Sequence, residues 1–142
     1  MTAAVSLPTS PKVLVVDDAP ANLIALGAVL KPLGLHVVEA RSGRQALELL
    51  NDKTSFVVAL LDVQMPEMDG IDATRAIREI VQFQSLPIIS LTAKAMKGDR
   101  EKALAAGASE YVTKPVDPER LLAILHQWLA RDVVVHRDGP IA

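Results

Sequence analysis

Five polar residues follow short apolar segments of the chain, and their types suit phosphoryl chemistry. They are Asp17, Asp18, Asp62, Thr92 and Lys114. Carboxylates that are brought together repel one another, which raises the pKa of one of them unless a cation intervenes. A hard divalent ion such as Mg²⁺ takes carboxylates, water and phosphate oxygens as ligands. A carboxylate can also be the nucleophile that forms an aspartyl phosphate, with an ammonium and a hydroxyl placed on the transferred group.

The elements that must position these residues are short β-rich runs separated by helical patterns. The predicted strands are Val13–Val16, His36–Ala40, Phe56–Leu61, Pro87–Leu91 and Glu110–Thr113. The predicted helices are Pro20–Leu33, Arg44–Leu50, Gly70–Ile80, Lys97–Ala106 and a last helix from Asp117-Pro118 to Arg131. Ser42 and Asp117 suit helix N-caps, and Gly34 suits a helix end.

Alternation of strands and helices predicts an α/β fold with parallel strands, right-handed crossovers and helices on both faces. In open parallel sheets, ligands bind at the carboxyl ends of the strands. The five polar residues stand at those ends, so we expect them to converge. The length of 142 residues suits one domain. We expect a flexible lead-in over residues 1–11, the domain over 12–131 and a poorly ordered tail over 132–142.

Composition narrows the class of protein further. Half of the residues are hydrophobic and only 3% are aromatic, so the core must be aliphatic. The net charge of −2 gives no electrostatic case for binding nucleic acid. The chain contains no cysteine, which excludes disulfides and thiolate chemistry and suits a reducing cytoplasm. No signal peptide or membrane-spanning run is evident, so we expect a soluble cytoplasmic protein without membrane contact.

Four motifs give the chain a specific resemblance. They are VLVVDD at Val13–Asp18, LLDVQMPEMDG at Leu60–Gly70, IISLTA at Ile88–Ala93 and YVTKP at Tyr111–Pro115. Between Lys12 and Arg131 the chain resembles the receiver domain of bacterial two-component response regulators. The stretches DVQMPEMDG and LTAKAM resemble receivers of hybrid histidine kinases more than those of transcription factors, with a stand-alone receiver as the alternative. The resemblance implies a flavodoxin-like (βα)5 three-layer sandwich with strand order 2-1-3-4-5.

The resemblance also implies a set of residues around a metal ion. Asp62 is expected to be the phosphoacceptor. Asp18 and Asp62 are expected to bind Mg²⁺, or Mn²⁺, directly, and Asp17 mainly through water. The backbone carbonyl of Gln64 completes the protein ligands. Gln64 and Lys94 occupy the two variable positions beside the pocket, and we expect them to tune the lifetime of the phosphorylated state.

A second set of residues is implied to read the phosphoryl group. Lys114 pairs with it, and the Lys114–Pro115 peptide bond is expected to be cis. Thr92 follows the phosphoryl group, and Tyr111 moves together with Thr92. The face formed by the fourth helix, fifth strand and last helix would then change shape.

The implied function is phosphorelay signalling, with a histidine kinase or a histidine phosphotransfer protein as phosphoryl donor. The chain would catalyse its own phosphorylation and dephosphorylation and turn over no separate substrate. The sequence does not identify the downstream partner, and it leaves a phosphorylation-dependent dimer open.

Other classes of protein remain as alternatives at this point. A phosphohydrolase of the haloacid dehalogenase type carries a D-x-D pair on its first strand, whereas this chain has adjacent Asp17-Asp18, and Val63 follows Asp62. A flavin or nucleotide binder would need a glycine-containing phosphate loop after the first strand, and none is present there. A receiver that acts as an interaction module without phosphorylation would typically lack pocket residues, and none is missing.

Overall fold

The computed structural model describes residues 11–51, 56–65, 68–93 and 98–141, with side chains as far as Leu129. The strands are β1 (Lys12–Val16), β2 (His36–Ala40), β3 (Val58–Asp62), β4 (Ile88–Thr92) and β5 (Glu110–Thr113). The helices are α1 (Pro20–Leu30), α2 (Gly43–Asn51), α3 (Gly70–Glu79), α4 (Asp99–Ala106) and α5 (Pro118–Ile141). Single 3-10 turns occupy Lys31–Leu33 and Val81–Phe83. Elements therefore alternate as predicted.

The five strands form one parallel sheet in the order β2-β1-β3-β4-β5. This order confirms the flavodoxin-like prediction. The register pairs Val16 with Leu61, and Asp62 with Leu91. Thr92 in turn pairs with Thr113, the residue before Lys114. The carboxyl ends of β1, β3, β4 and β5 are therefore level, which is what brings their polar residues to one edge.

The sheet is buried on both faces, since every residue of β3 and β4 is buried. Alternate strand residues point to opposite faces, so each face gathers its own aliphatic cluster. One cluster packs under α1 and α5 and includes Val13, Val15, Leu26, Leu60, Leu91 and Leu125. The other packs under α2 and α3 and includes Leu14, Val16, Leu50, Leu61, Ile77 and Ile88. Each fully buried side chain of this size contributes about 1.5–3 kcal/mol, which makes the strand edge a firm base for a site.

Predicted helix boundaries are confirmed at three places. Ser42 Oγ accepts a hydrogen bond from Gln45 N at 3.0 Å, which caps α2. Asp117 Oδ1 accepts one from Glu119 N at 3.2 Å at the start of α5. Gly34 takes a left-handed conformation (φ 83°) and ends the 3-10 turn that follows α1.

The main difference from the predicted elements is the length of α5. We expected this helix to end near Arg131, and its backbone continues to Ile141. The residues from Asp132 to Asp138 include no glycine or proline, so nothing in that stretch stops a helix. None of the described helices combines the length and the apolar content of a membrane span. Most of the expected lead-in (residues 1–10), together with the expected α4 start at Lys97, lies outside the described residues.

Arg78 joins three segments at the sheet edge where the strands begin. Its Nε donates to Gly107 O at 2.9 Å, and its Nη1 donates to Phe83 O at 2.8 Å. Gly107 has φ 118°, and a Cβ there would lie 2.6 Å from Arg78 Cγ. Burial lowers the pKa of Arg78. The end of α3 is thereby tied to the turn before β4 and to the end of α4, a junction that the sequence motifs did not indicate.

Candidate functional site

Three carboxylates meet at the carboxyl edge of β1 and β3. One oxygen from each of Asp17, Asp18 and Asp62 lies within 4.8 Å of the others. Asp17 is fully buried, Asp62 is 4% exposed, and Asp18 is exposed to solvent. The sequence predicted this convergence. The result is a cluster of hard oxygen donors with one open side.

Lys114 lies between two of these carboxylates. Its Nζ is 3.0 Å from Asp17 Oδ2 and 3.0 Å from Asp62 Oδ1. Its backbone N donates to Thr92 O, which holds the residue against the end of β4. The Lys114–Pro115 peptide bond is cis. Contacts of both the backbone and the side chain of Lys114 therefore position its ammonium group in the pocket.

Burial and charge act in opposite directions on the two central groups. Burial raises the pKa of Asp62, the charge of Asp17 raises it further, and the hydrogen bonds from Lys114 and the Gln64 amide only partly offset this. Burial by itself lowers the pKa of Lys114, but hydrogen bonds and charge from Asp62 and Asp17 outweigh it, so the net pKa is raised. Lys114 is therefore a firmly protonated cation, and ionised Asp62 is a carboxylate that a further cation would stabilise.

Asp17 has donors on both of its oxygens. Oδ1 accepts from Ala19 N at 2.9 Å, and Oδ2 accepts from Asn22 Nδ2 at 3.1 Å as well as from Lys114 Nζ. The sequence prediction missed Asn22, because the helical pattern was followed through its apolar positions only. The available signal was an amide side chain in the first turn of α1, five residues after Asp17.

The segment after Asp62 packs tightly against the start of α3. Gly70 N donates to Val63 O at 3.0 Å. A Cβ on Gly70 would lie 2.8 Å from Val63 Cα and would overlap the carbonyl oxygen of Asp62. Asp69 caps α3 by accepting from Asp72 N at 2.8 Å. Only glycine fits at position 70, so this contact fixes the backbone that carries Asp62.

Thr92 and Tyr111 share one face of the sheet. Thr92 is the last residue of β4 and is 2% exposed. Tyr111 is half-buried on β5 and pairs in register with Ser90, two residues before Thr92. Paired residues on parallel strands point to the same side, and so do residues two apart. Ile88, Ser90 and Thr92 lie on the face covered by α2 and α3, and α4 packs against α3. Both predicted switch residues therefore lie on the α4 side, with Thr92 nearer to the pocket.

Gln64 is one of the two residues that were predicted to tune the lifetime of the phosphorylated state. Gln64 is exposed, and its backbone N lies 3.4 Å from Asp62 Oδ1. This position is at the mouth of the pocket. Lys94 falls outside the described residues.

An apolar groove adjoins the pocket on the α1 side. Its volume is about 660 Å³, and Asn22, Leu26, Lys114 and Val116 are among its lining residues. α1 carries no charged residue along its whole length. Ile24 on its outer face is 72% exposed. The pocket therefore opens beside an uncharged helix surface rather than a charged one.

A parallel sheet in the order 2-1-3-4-5, with three aspartates and a lysine at its carboxyl edge, defines a flavodoxin-like protein with a receiver-type acidic pocket. The family described as the response regulator receiver domain matches residues 13–126. The chain belongs to this family. It is accordingly a receiver domain of two-component signalling, its acidic pocket is consistent with a phosphoacceptor site, and the phosphohydrolase alternative is not favoured.

Curated relatives of this chain include histidine kinases and sensor proteins. The chain is 45% identical over 116 residues to the signal transduction histidine-protein kinase BarA of Escherichia coli, covering 82% of this chain and 12% of that protein. It is 41% identical over 122 residues to the sensor protein GacS of Pseudomonas syringae, covering 84% of this chain and 13% of that protein. The chain thus spans only about an eighth of the length of these relatives.

Solved structures show the same architecture. The receiver domain of the sensor histidine kinase PA1611 from Pseudomonas aeruginosa, with a magnesium ion coordinated in its active site cleft, superimposes with a TM-score of 0.78 at 36% identity. That match covers 86% of this chain and 99% of that one. The chemotaxis protein CheY4 of Vibrio cholerae gives a TM-score of 0.79 at 34% identity, covering 85% and 100%. The receiver domain of a sensor histidine kinase and a chemotaxis protein are therefore both similar to this chain.

Proposed function

We propose that Asp62 accepts a phosphoryl group from a phosphohistidine on a partner protein. The observation that carries this proposal is the buried Asp62 carboxylate held 3.0 Å from Lys114 Nζ inside a cluster of three carboxylates. An isolated buried carboxylate is energetically costly unless its charge is paired with a cation or hydrogen-bonded. Here the partner is a cation, and one side of the cluster is open at Asp18.

The donor set fits a hard divalent cation. Asp18, Asp62 and the backbone carbonyl of Gln64 would hold Mg²⁺, and Asp17 would contribute through water. One oxygen from each aspartate lies within 4.8 Å of the others, and carboxylate oxygens are the ligands that Mg²⁺ and Mn²⁺ both accept. When bound, Mg²⁺ supplies charge neutralisation for the oxygens of the transferring group.

The chain's own residues divide the transfer step among them. An Asp62 oxygen forms the new bond to phosphorus while the bond from phosphorus to the histidine nitrogen breaks and leaves its electron pair on nitrogen. Lys114 Nζ, already beside Asp62 Oδ1, is placed to donate to a phosphoryl oxygen. Thr92, at the level end of β4, is placed to donate its hydroxyl. No separate substrate is turned over.

The phosphoryl group would signal by shifting the population of two conformations. Its added charge and three acceptor oxygens draw Thr92 and Lys114 towards it. Movement of Thr92 frees space on the α4 side of the sheet, and Tyr111 on the same side turns inward to occupy it. The face formed by α4, β5 and α5 then presents a different surface to a downstream partner or to a second copy.

The phosphoryl donor is a histidine kinase or a histidine phosphotransfer protein. The groove beside the pocket and the exposed Ile24 on uncharged α1 suit contact with an apolar protein surface. The proposed location is the cytoplasm, which suits a chain without cysteine. No direct contact with nucleic acid or membrane forms part of this function.

The test is phosphorylation by acetyl phosphate with Mg²⁺, followed by intact mass spectrometry. Wild-type protein is expected to gain one phosphoryl group, and Asp62→Ala to gain none. Asp72→Ala, which alters an exposed aspartate on α3, is the matched control and should be modified like the wild type. Modification of Asp62→Ala to the wild-type extent would overturn the proposal.

A further inference from the structure

Asp17 Oδ2 is shared by two side-chain donors that come from different elements. Lys114 Nζ reaches it at 3.0 Å from the segment after β5, and Asn22 Nδ2 reaches it at 3.1 Å from α1. The carboxylate is fully buried, and the hydrogen bonds that the structure shows for it come from protein donors. Neither the motifs nor the proposed phosphoryl transfer gives Asn22 a task.

The two donors differ in their freedom to leave Asp17. Asn22 is fixed in the first turn of α1, where its backbone N donates to Ala19 O at 3.0 Å. The neighbouring Leu23 is part of the core under α1. Lys114 carries its charge on a long side chain and already divides its contacts between Asp17 and Asp62. Lys114 is therefore the donor that can move, and Asn22 is the one that stays.

Movement of Lys114 would remove one hydrogen-bond donor from Asp17 Oδ2, and Asn22 would remain as the other. If Nζ turns towards a phosphoryl group on Asp62, it withdraws from the buried oxygen of Asp17. A buried acceptor left without a donor costs about 1–3 kcal/mol, and more when it is charged. With Asn22 Nδ2 in place, Oδ2 keeps one hydrogen bond throughout.

We propose that Asn22 is a positioning residue that keeps Asp17 hydrogen-bonded and so allows Lys114 to transfer from Asp17 to the phosphoryl group. This inference rests on the proposed function of Asp62. A neutral amide suits the task, because a cation at position 22 would compete with Lys114, and a carboxylate would repel Asp17. An apolar side chain would leave Lys114 as the side-chain donor that Asp17 cannot release.

Beryllofluoride, a phosphoryl mimic, provides the test, together with Mg²⁺. Affinity for beryllofluoride at saturating Mg²⁺ and affinity for Mg²⁺ alone are measured by calorimetry for wild type, Asn22→Leu and Asn22→Ala. Both variants are expected to bind beryllofluoride about tenfold more weakly, the effect of leaving one buried acceptor unsatisfied. Their affinity for Mg²⁺ alone should stay within about twofold of wild type, since Lys114 still serves Asp17 in that state.

Two further variants distinguish a specific hydrogen bond from Asn22 to Asp17 from a general effect of changing the groove. Asn22→Gln keeps the amide donor and should recover at least part of the beryllofluoride affinity. Val29→Ala changes the same groove without touching Asp17 and should bind beryllofluoride like the wild type.

Three results would decide against the inference. Unchanged beryllofluoride affinity in both Asn22→Leu and Asn22→Ala would overturn it, and so would equal losses of Mg²⁺ and beryllofluoride affinity, which would assign Asn22 to metal binding. A loss in Val29→Ala as large as that in Asn22→Leu would do the same. Failure of the wild type to bind beryllofluoride would instead remove the proposed function itself.

Discussion

Two partly buried cations lie at opposite edges of the sheet and make different kinds of contact. At the carboxyl edge, Lys114 bridges two carboxylates at 3.0 Å each. At the other edge, Arg78 donates to two backbone carbonyls at 2.9 and 2.8 Å. Both side chains join segments that are distant in sequence, yet their acceptors differ in charge.

The charge of the acceptors sets what each cation can do. The carboxylates raise the pKa of Lys114 against the effect of burial, whereas burial alone lowers the pKa of Arg78. The partners of Lys114 are side chains that a metal ion or a phosphoryl group can draw into new contacts. The partners of Arg78 are carbonyl oxygens fixed in the chain. We infer that the Lys114 contacts are exchangeable and functional, and that the Arg78 contacts are a permanent joint.

Lys114→Met should give the largest effect and should act on rate. Loss of one positioned donor to a charged transferring group typically costs about 10²–10³ in rate. We therefore expect phosphorylation by acetyl phosphate to slow by at least about 100-fold, measured as single-turnover kinetics on phosphate-affinity gels.

The fold of Lys114→Met is checked by circular dichroism at saturating Mg²⁺, where it should match wild type. A rate within about twofold of wild type would contradict a role for Lys114 in the transfer.

Arg78→Met should give the opposite result, a loss of stability with phosphorylation retained. Two carbonyls lose charged hydrogen bonds, each worth about 1.5–3 kcal/mol, although partial solvent access reduces the sum. We expect the free energy of unfolding, from urea titration, to fall by about 2–3 kcal/mol. Arg75→Met, on the exposed side of the same helix, is the control and should change it by less than about 0.5 kcal/mol.

If Arg78→Met were as stable as Arg75→Met, the hydrogen bonds of Arg78 would not contribute to the free energy of unfolding. If it lost phosphorylation while remaining folded, the distinction between the two cations would fail.

The same contrast explains what the sequence predicted and what it did not. Asp17, Asp62 and Lys114 were found because parallel strands place their carboxyl ends at one edge, so chemistry-bearing residues at strand ends must meet. Arg78 was not found, because its acceptors are main-chain oxygens of Gly107 and Phe83, which carry no side-chain signal. Contacts of that kind depend on the local backbone path.

The apolar pattern of the sequence also failed to predict where α5 ends and which side chain of α1 contacts Asp17. α5 continues past Arg131 because residues 132–138 contain no glycine or proline, although they lack a clear apolar stripe, and Gly139 and Pro140 fall in its last turn. Asn22 was not predicted, because a single amide on an apolar helix does not form part of a periodic pattern. Its role appears only once Asp17 is seen to be buried.

Asp62→Asn should stabilise the protein near neutral pH, by a few degrees in the midpoint of thermal unfolding. The pKa of Asp62 is raised mainly by burial, so the folded state favours the protonated form. Stability from protonated Asp62 is present below the ordinary aspartate pKa and is lost as pH rises through the folded pKa. Since asparagine stays neutral, the difference from wild type should be largest near neutral pH and should vanish in acid.

Thermal melts without Mg²⁺, in acid and at neutral pH, measure the effect of Asp62→Asn. Asp18→Asn, which changes an exposed aspartate, is the comparison. A gain that was equal in acid and at neutral pH would rule out charge burial as the cause.

Gln64→Ala and Lys94→Ala should give the smallest effect, limited to the lifetime of the aspartyl phosphate. Gln64 is exposed at the mouth of the pocket, so we expect its removal to alter water access rather than transfer. The half-life of the aspartyl phosphate should change by about twofold to tenfold, and tenfold is equivalent to about 1.4 kcal/mol in barrier height. Half-lives are read from the decay of the phosphorylated band, and unchanged values in both variants would refute lifetime tuning.

The direction of α5 determines how the module can be joined to other polypeptide. β1 enters at the edge where Arg78 lies, and α5 begins at the pocket edge and runs back along the sheet. The start of β1 is separated from Asp62 by a strand of five residues, about 16 Å, and α5, with 24 residues, extends about 36 Å from its start at the pocket edge. Polypeptide joined to either end of the domain therefore starts away from the pocket that a phosphohistidine would approach.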